Sequence, residues 1–330
     1  MKRIAFAFII SFPLLSFCSD LRAQATATGR PRIGLTLSGG GAKGLAHIGI
    51  LKAIDSAGLK IDYVTGTSMG SIIGSLYAVG YSADSIESIA RSINWDLLLS
   101  NQSSLRSLFM EEKDEYYKYV VELPWVNHSF VLPSGVLEGQ ELWLKLSELF
   151  FPVNNKKDFS QFYIPFKCIG TDVGSGEAVV MSKGEITTAI RSSMAIPSFF
   201  TAVDYDGKRL VDGGVVRNFP VKDVREMGAT YVIGSNVAGG LLPSDKVRNA
   251  IQVLLQVAFF REAQDHKEEV ALCDIYVPFA MEKYSMGSFA QASDILDFGI
   301  NEGRKLYPRL KRLADSLDAI YGRQSFPAKR

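Results

Sequence analysis

Residues 61–78 read Ile-Asp-Tyr-Val-Thr-Gly-Thr-Ser-Met-Gly-Ser-Ile-Ile-Gly-Ser-Leu-Tyr-Ala, an apolar run, a Gly-x-Ser-x-Gly turn and a second apolar run. This order predicts a strand, a tight turn at Ser68 and a helix. Side chains at Gly66 and Gly70 would collide with neighbouring backbone in such a turn. The strained turn would hold the Ser68 hydroxyl above the positive end of the helix dipole, as a nucleophile is held. An ordinary strand-to-helix turn is the alternative interpretation.

A second glycine motif precedes this turn. Residues 33–37 resemble a strand, residues 38–44 read Ser-Gly-Gly-Gly-Ala-Lys-Gly, and residues 45–54 resemble a helix. Consecutive glycines at the start of a helix let backbone N–H groups converge on an oxyanion. The residues expected to form this oxyanion hole are Gly39, Gly40, Gly41 and Ala42.

The same letters also match the dinucleotide-binding pattern G-x-G-x-x-G at Gly39, Gly41 and Gly44. Asp62 lies roughly twenty residues further on, as that pattern requires. A single G-x-G-x-x-G is weak evidence, however. Because the serine turn follows within the same strand–helix–strand unit, the oxyanion interpretation is favoured.

A third motif occupies residues 210–215, which read Leu-Val-Asp-Gly-Gly-Val. Asp212 follows two apolar residues and precedes two glycines, which is typical of a strand end where the backbone turns sharply. A plain Asp-Gly turn is the alternative for this segment taken alone.

The three motifs, in this order, resemble those of the patatin-like phospholipase family. Residues 191–197 read Arg-Ser-Ser-Met-Ala-Ile-Pro and are similar to the family's Arg-x-Ser-x-Ala-x-Pro stretch. The resemblance extends over roughly residues 32–277 and implies an α/β fold, a single three-layer domain with a mainly parallel central sheet between helices. The alternation of strand and helix patterns along the chain agrees with this fold class.

The resemblance also implies a mechanism and a set of site residues. Ser68 would attack an ester carbonyl and form an acyl-enzyme, while Asp212 would take the Ser68 proton and later activate water. A carboxylate is a weak base for a hydroxyl, so Asp212 would need partial burial to raise its pKa. The residues expected to support the motifs are Lys43, Gly44, Gly66, Gly70, Gly213 and Gly214.

The implied activity is cleavage of acyl esters of lipids, either phospholipids or lysophospholipids, without a cofactor or a metal ion. An acyltransferase or a carboxylesterase on the same dyad would differ only in the acceptor or the leaving group. A third alternative is a non-catalytic lipid-binding module. The expected partner is a lipid or a membrane surface, for which Lys43 would attract a phosphate or be merely solvated. The oligomeric state stays open.

Three histidines are available for a conventional triad. In α/β-hydrolases the histidine follows the acid along the chain, and only His266 follows Asp212. It lies in a highly charged stretch that predicts a solvated helical face. We expect His47 to be packed or capping rather than catalytic, and His128 to lie in a turn. None of the three histidines is a good candidate for the histidine of a triad, which agrees with the dyad that the resemblance implies.

The first 25 residues are predicted to be a cleaved secretory signal. Lys2 and Arg3 precede a largely apolar stretch of 14 residues, 4–17, and residues 23–25 read Ala-Gln-Ala, an A-x-A cleavage site. The stretch is short for a membrane span. Cys18 suggests lipoprotein anchoring as the alternative, but bulky Phe17 precedes it. The expected location is the periplasm, the outer membrane or the exterior.

The remaining chain is predicted to contain a hydrolase domain, residues 26–300, and a C-terminal amphipathic helix and tail, residues 301–330. Removing the leader takes 36 basic and 35 acidic residues to 33 and 34, a net charge of −1. Near-neutral charge argues against a nucleic-acid partner. Ligand spacing typical of a metal site does not occur. Cys168 and Cys273 are expected to be buried free thiols, although export would permit a disulfide between them.

Regular elements follow from apolar periodicity. The predicted strands are 33–37, 63–64, 166–171, 178–181, 209–211, 231–235 and 274–278, and the predicted further helices are 83–92, 139–150, 222–227 and 246–269. In the last of these, Ile251, Leu254, Leu255 and Ala258 form a stripe that indicates core packing.

Residues 100–138 have the least regular pattern. Their apolar residues would line an acyl pocket or touch a bilayer, with Trp125 and Phe130 as the expected contact points. The alternative is a β-hairpin that packs on the sheet, since residues 117–123 alternate moderately between polar and apolar.

Overall fold

The computed structural model describes residues 29–99, 125–126, 129–130, 135–241, 243–248, 253, 256–323 and 329. Pro31–Arg330 forms one compact unit. The predicted signal peptide with its cleavage site, residues 117–123 and His128 lie outside the described residues.

Twelve strands and nine helices have both ends within the described ranges, and residues 253 and 256–258 are also helical. The strands are β1 Ile33–Leu37, β2 Tyr63–Thr67, β3 Trp125–Val126, β4 Ser129–Phe130, β5 Gly135–Leu137, β6 Phe166–Asp172, β7 Ala178–Met181, β8 Ser198–Phe200, β9 Val203–Tyr205, β10 Lys208–Asp212, β11 Tyr231–Asn236 and β12 Ile275–Pro278. The helices are α1 His47–Ala57, α2 Met69–Ala78, α3 Ala83–Ser92, α4 Trp95–Leu98, α5 Gln140–Phe150, α6 Ile186–Ser193, α7 Val221–Glu226, α8 Phe260–Ala271 and α9 Ala292–Tyr321.

Eight strands form one sheet in the order β12-β11-β1-β2-β6-β10-β9, with β7 also paired to β6. The five strands from β12 to β6 run parallel, whereas β7, β9 and β10 add antiparallel pairs at one side. Leu37 at the end of β1 lies opposite Gly66 on β2. The glycine loop and the serine turn therefore leave the sheet side by side at its carboxyl edge, and the predicted mainly parallel α/β sheet is confirmed.

Helices cover both faces of the sheet. On β11, Val232 packs with Phe219 and Val224 beneath α7, while the next residue, Ile233, belongs to the larger core that includes α1 and α2. Because successive strand residues point to opposite faces, these two clusters lie on opposite sides. The three-layer architecture that the resemblance implied is confirmed.

All seven predicted strands are present, and the second extends to Thr67. The predicted helix 246–269 begins too early and is interrupted, because a 3₁₀ turn covers Ser244–Lys246 and the backbone turns at Phe259 before α8 begins. Between these points the described residues, 253 and 256–258, are helical as predicted. Ile251, Leu254 and Leu255 lie outside the described residues. Ala258, the described member of the predicted stripe, is half-buried, so core packing of the stripe stays a prediction.

The C-terminal helix begins at Ala292, before the predicted start at residue 301, so the predicted domain boundary falls inside α9. Leu310 and Leu317 are buried, as an amphipathic helix docked on the body requires. Gly303 allows α9 to approach α1 closely, since a Cβ there would lie 2.0 Å from the carbonyl oxygen of Gly49. Among the described residues, none of the helices combines the length and apolarity that a bilayer span needs.

Both cysteines of the described chain are free thiols. Cys168 on β6 is buried, as predicted, but Cys273 is only half-buried because it follows the end of α8 near the surface. The irregular region contains a two-residue antiparallel pair, β3 with β4, in which Trp125 is opposite Phe130.

Candidate active site

The serine turn has the geometry that its sequence predicts. Ser68 joins β2 to α2 with φ 53° and ψ −127°, a strained conformation for a residue that has a side chain. A Cβ at Gly66 would lie 2.5 Å from the Gly70 carbonyl oxygen, and one at Gly70 would lie 2.4 Å from that of Leu37. Both positions therefore need glycine for steric reasons, and the strained backbone points to a functional role for Ser68.

Ser68 and Asp212 contact each other directly. The Ser68 hydroxyl donates a hydrogen bond of 2.7 Å to Oδ2 of Asp212, while Oδ1 accepts one of 2.7 Å from the Gly214 N–H group. Ser68 is 5% exposed and Asp212 is 2% exposed. Burial raises the pKa of Asp212 to about 6, and the two hydrogen bonds limit this increase because they stabilise the charged form.

The backbone around Asp212 is held on three sides. Its N–H group donates to the Ala195 carbonyl at 2.8 Å, and its own carbonyl accepts from the Thr171 hydroxyl at 2.9 Å. A Cβ at Gly213 would lie 2.3 Å from the Ile169 carbonyl oxygen, so this glycine lets the turn sit against β6. The carboxylate is thereby positioned by β6, by β10 and by the segment after α6.

The glycine loop lies against the nucleophile, since a Cβ at Gly39 would be 2.9 Å from the Cβ of Ser68. Two of the four predicted oxyanion donors are engaged elsewhere. The Gly39 N–H group donates to Asn218, and the Ala42 N–H group donates to the Met286 carbonyl at 2.8 Å. The prediction that Gly39 and Ala42 donate to the oxyanion is therefore wrong, because their N–H groups already form the hydrogen bonds that hold the loop in place. Gly40 and Gly41 remain as candidate donors.

A family model described as "Patatin-like phospholipase" matches residues 35–225, more than half of the chain. The chain belongs to the patatin-like phospholipase family. The family assignment made from the three motifs is confirmed.

Individual relatives match about two thirds of the chain. A patatin-like phospholipase domain-containing protein of Caenorhabditis elegans is 31% identical over 221 residues, 66% of this chain and 14% of that protein. Lysophospholipase NTE1 of Debaryomyces hansenii is 26% identical over 219 residues, 66% of this chain and 12% of that protein. The matched region is thus a small part of these relatives. Among solved structures, VipD from Legionella pneumophila has a TM-score of 0.47 and 15% identity, covering 86% of this chain and 67% of VipD.

The two described histidines form their hydrogen bonds with residues outside the Ser–Asp pair. His47 is fully buried, as predicted, and its ring nitrogens bond the Ser235 hydroxyl at 2.8 Å and the Ser38 carbonyl at 2.9 Å. Burial lowers the pKa of His47 to about 4, so its ring is neutral. The prediction for His266 is wrong in part, because this ring is half-buried and packs on Phe219.

Ser193 is a site residue to which sequence reasoning assigned no partner. The N–H group of Ser68 donates to the Ser193 hydroxyl at 3.0 Å, and Ser193 is fully buried. This bond satisfies the amide of the strained residue. The signal was the third position of the Arg-x-Ser-x-Ala-x-Pro stretch, but nothing in that stretch indicates which backbone group the hydroxyl contacts.

Lys43 and Gly44 lie in the 3₁₀ turn Gly41–Ala46 that follows the glycine loop. Lys43 is only 8% exposed, and burial lowers the pKa of its ammonium group, an effect opposed by the charge of Glu282. A Cβ at Gly44 would lie 2.4 Å from Cγ of Met69, so glycine lets this turn pack against the start of α2. Lys43 is therefore a buried cation on the loop that borders the nucleophile.

Two cavities lie within the helical layer. A narrow one of about 30 Å³ begins beside Met69 and is lined by apolar side chains of α2 to α5, including Ile72, Trp95 and Leu146. A wider one of about 670 Å³ lies between α1, α3 and α9 and contains neither dyad residue. Within the described part of the chain, histidine, cysteine and carboxylate side chains form no cluster of three that would hold a metal ion.

Proposed function

We propose that the protein is a lipid acyl hydrolase in which Ser68 and Asp212 act as a catalytic dyad. The observation that carries the proposal is the direct 2.7 Å hydrogen bond from the Ser68 hydroxyl to Oδ2 of Asp212. Oγ of Ser68 attacks the ester carbonyl and its proton passes to Asp212. The ester C–O bond then breaks, the leaving alcohol takes that proton, and an acyl-enzyme remains.

Deacylation uses the same two groups. Asp212 takes a proton from water, the hydroxide attacks the acyl carbonyl, and Ser68 is released when Asp212 returns the proton to Oγ. Negative charge develops on the carbonyl oxygen in both steps. The N–H groups of Gly40 and Gly41 stabilise it, since those of Gly39 and Ala42 are already bonded.

Two features support a phospholipid or lysophospholipid as the substrate. Lys43 supplies a buried positive charge next to the oxyanion loop, suited to a phosphate group. The cavity beside Met69, the residue after Ser68, is lined mainly by apolar side chains, which suits the start of an acyl chain, and its volume of about 30 Å³ holds about two water-sized groups, so a longer chain requires it to widen. A lysophospholipase is also among the relatives.

A fluorophosphonate probe combined with product analysis tests the proposal. The wild type should be labelled and should release fatty acid from a labelled phospholipid, whereas Ser68→Ala should do neither. The matched control is Ser75→Ala, which removes another buried hydroxyl about two turns further along α2. It should keep labelling and hydrolysis.

The alternatives give different results in the same experiment. Transfer of the acyl group to an added alcohol in preference to water would indicate an acyltransferase. Hydrolysis of short-chain esters without release from phospholipid would indicate a carboxylesterase. A folded wild type that is not labelled would contradict the dyad and leave a lipid-binding module.

A further inference from the structure

The segment that follows the Asp212 turn is held by side chains of β1 and β2. The Thr67 hydroxyl donates to the Arg217 carbonyl at 3.0 Å. The Pro220 carbonyl accepts from Thr65 at 2.9 Å and from Thr36 at 3.2 Å. Because β1 leads into the glycine loop and β2 leads into the serine turn, this segment is docked where all three motifs meet.

Asn218 lies in the middle of that segment and is only 8% exposed. The N–H group of Gly39 is shared between Oδ1 of Asn218 at 3.1 Å and its backbone carbonyl at 3.2 Å. In return, Nδ2 of Asn218 donates a longer bond of 3.4 Å to the Gly39 carbonyl. One side chain thus engages both polar backbone groups of the first glycine of the loop.

The same carboxamide also borders the acid. The position that a Cβ would take at Gly214 is 2.9 Å from Oδ1 of Asn218 and 3.0 Å from Oδ1 of Asp212, so these two oxygens are at most about 6 Å apart. A Cβ at Gly39 would lie 2.4 Å from Oδ1 of Asn218 and 2.9 Å from Cβ of Ser68. Asn218 therefore bridges the glycine loop and the Asp212 turn beside the nucleophile.

We propose that Asn218 is a positioning residue that binds Gly39 and so presents Gly40 and Gly41, rather than Gly39, to the oxyanion. This role rests on the proposed hydrolase function. Its physical basis is that Gly39, Gly40 and Gly41 have no side chains to anchor them, so the orientation of this part of the loop depends on bonds to its backbone. A displacement of about 1 Å in such a loop costs on the order of 10²-fold in rate.

The test compares Asn218→Ala and Asn218→Asp with a matched control, Asn236→Ala. Asn236 is a buried amide at 2% exposure that braces another loop by accepting from the Ala238 N–H group at 2.8 Å. For each variant, kcat and KM on a soluble short-chain ester, the rate of fluorophosphonate labelling and the melting temperature are measured.

For Asn218→Ala we expect kcat and the labelling rate to fall together by about 10²-fold with KM within about threefold. Asn236→Ala should stay within about threefold of the wild type in kcat, in KM and in the labelling rate. Asn218→Asp keeps an acceptor for Gly39, so part of kcat should return at high pH. Its added carboxylate should move the acidic limb of the pH profile upward, because a like charge within about 6 Å disfavours ionised Asp212.

Three results would overturn the positioning role: near wild-type kcat and labelling in Asn218→Ala, an equal loss in Asn236→Ala, or an acidic limb that does not move in Asn218→Asp. If Asn218→Ala does not fold, the pH profile of Asn218→Asp decides. A wild type that neither hydrolyses nor is labelled would instead overturn the proposed function, and this role with it. The two failures are therefore distinguishable.

Discussion

Oγ of Ser68 lies 2.7 Å from Oδ2 of Asp212, although 144 positions separate the two residues in the chain. At this distance the carboxylate accepts a hydrogen bond directly from the hydroxyl, as the proposed dyad requires. Burial makes the carboxylate a stronger base than an exposed aspartate, since it raises the pKa of Asp212 to about 6. Proximity and basicity together are what a two-residue catalytic site requires.

Hydrolysis should depend on pH with an acidic limb near pH 6. Only the deprotonated carboxylate of Asp212 accepts the Ser68 proton, so kcat/KM should fall tenfold for each pH unit below the pKa of about 6. The measurement is kcat/KM on a soluble ester from about pH 4.5 to about pH 9, with enzyme stability checked at each pH. A rate that stays constant down to pH 4.5 would contradict Asp212 as the base.

Asp212→Asn should be inactive yet more stable than the wild type at pH 8. The folded-state pKa of about 6 exceeds the ordinary value of 3.8, so the folded state retains a proton that the unfolded chain has lost between these values. Wild-type stability from this group therefore decreases as pH rises through that window. The buried charge costs up to about 3 kcal/mol above pH 6.

This stabilisation is measured as the difference in urea unfolding free energy between Asp212→Asn and the wild type at pH 8 and at pH 4. The difference should largely disappear at pH 4, where Asp212 is protonated in the folded wild type. A variant that is less stable than the wild type at pH 8 would show that the charged carboxylate contributes net stability.

Replacement of each histidine by Gln should leave measurable hydrolysis. His47 is the most demanding case, because its ring bridges Ser235 and Ser38 inside the core, so His47→Gln should lose about 1–3 kcal/mol of unfolding free energy. Rates are compared below the melting temperature of each variant. A folded histidine variant as inactive as Asp212→Asn would restore a triad.

Lys43→Met should weaken hydrolysis of a dispersed phospholipid by roughly 10-fold or more, the effect of losing one charge-assisted hydrogen bond. Hydrolysis of a neutral soluble ester should change much less, because that substrate has no phosphate. Lys222→Met, which removes a surface lysine that pairs with Glu268, is the matched control. Equal losses on both substrates would assign Lys43 to loop structure instead of phosphate binding.

The chain should be exported and should begin at Thr26 after processing, because the Ala-Gln-Ala sequence ends at Ala25. N-terminal sequencing and intact mass of protein from each cellular fraction test this. A mature protein that begins at a lipid-modified Cys18 would favour the lipoprotein alternative, and retention of Met1 in the cell interior would exclude export.

Much of the fold could be predicted, because its elements have local signals. The strands are short apolar runs bounded by polar or glycine residues, and Ala83–Ser92 is a helix with the predicted ends. In the helix predicted over 246–269 the interruption was missed, because an apolar stripe does not reveal a turn such as the one at Phe259. The early start of α9 at Ala292 was also missed, although its first turns have the helical spacing of buried residues that the sequence could have indicated. Those buried residues are Ala292, Ile295, Leu296 and Gly299.

For the site, the sequence by itself determined the nucleophile turn, the glycine loop and the acid as candidates. Their spacing reflects steric demands within a few residues of Ser68 and Asp212. Only the tertiary structure decided which loop amides are taken by Asn218 and Met286, that Ser193 satisfies the Ser68 amide, and that Asp212 is buried. These properties depend on partners that lie far apart in the chain, and hydrogen bonding and desolvation act only between groups that the fold has brought together.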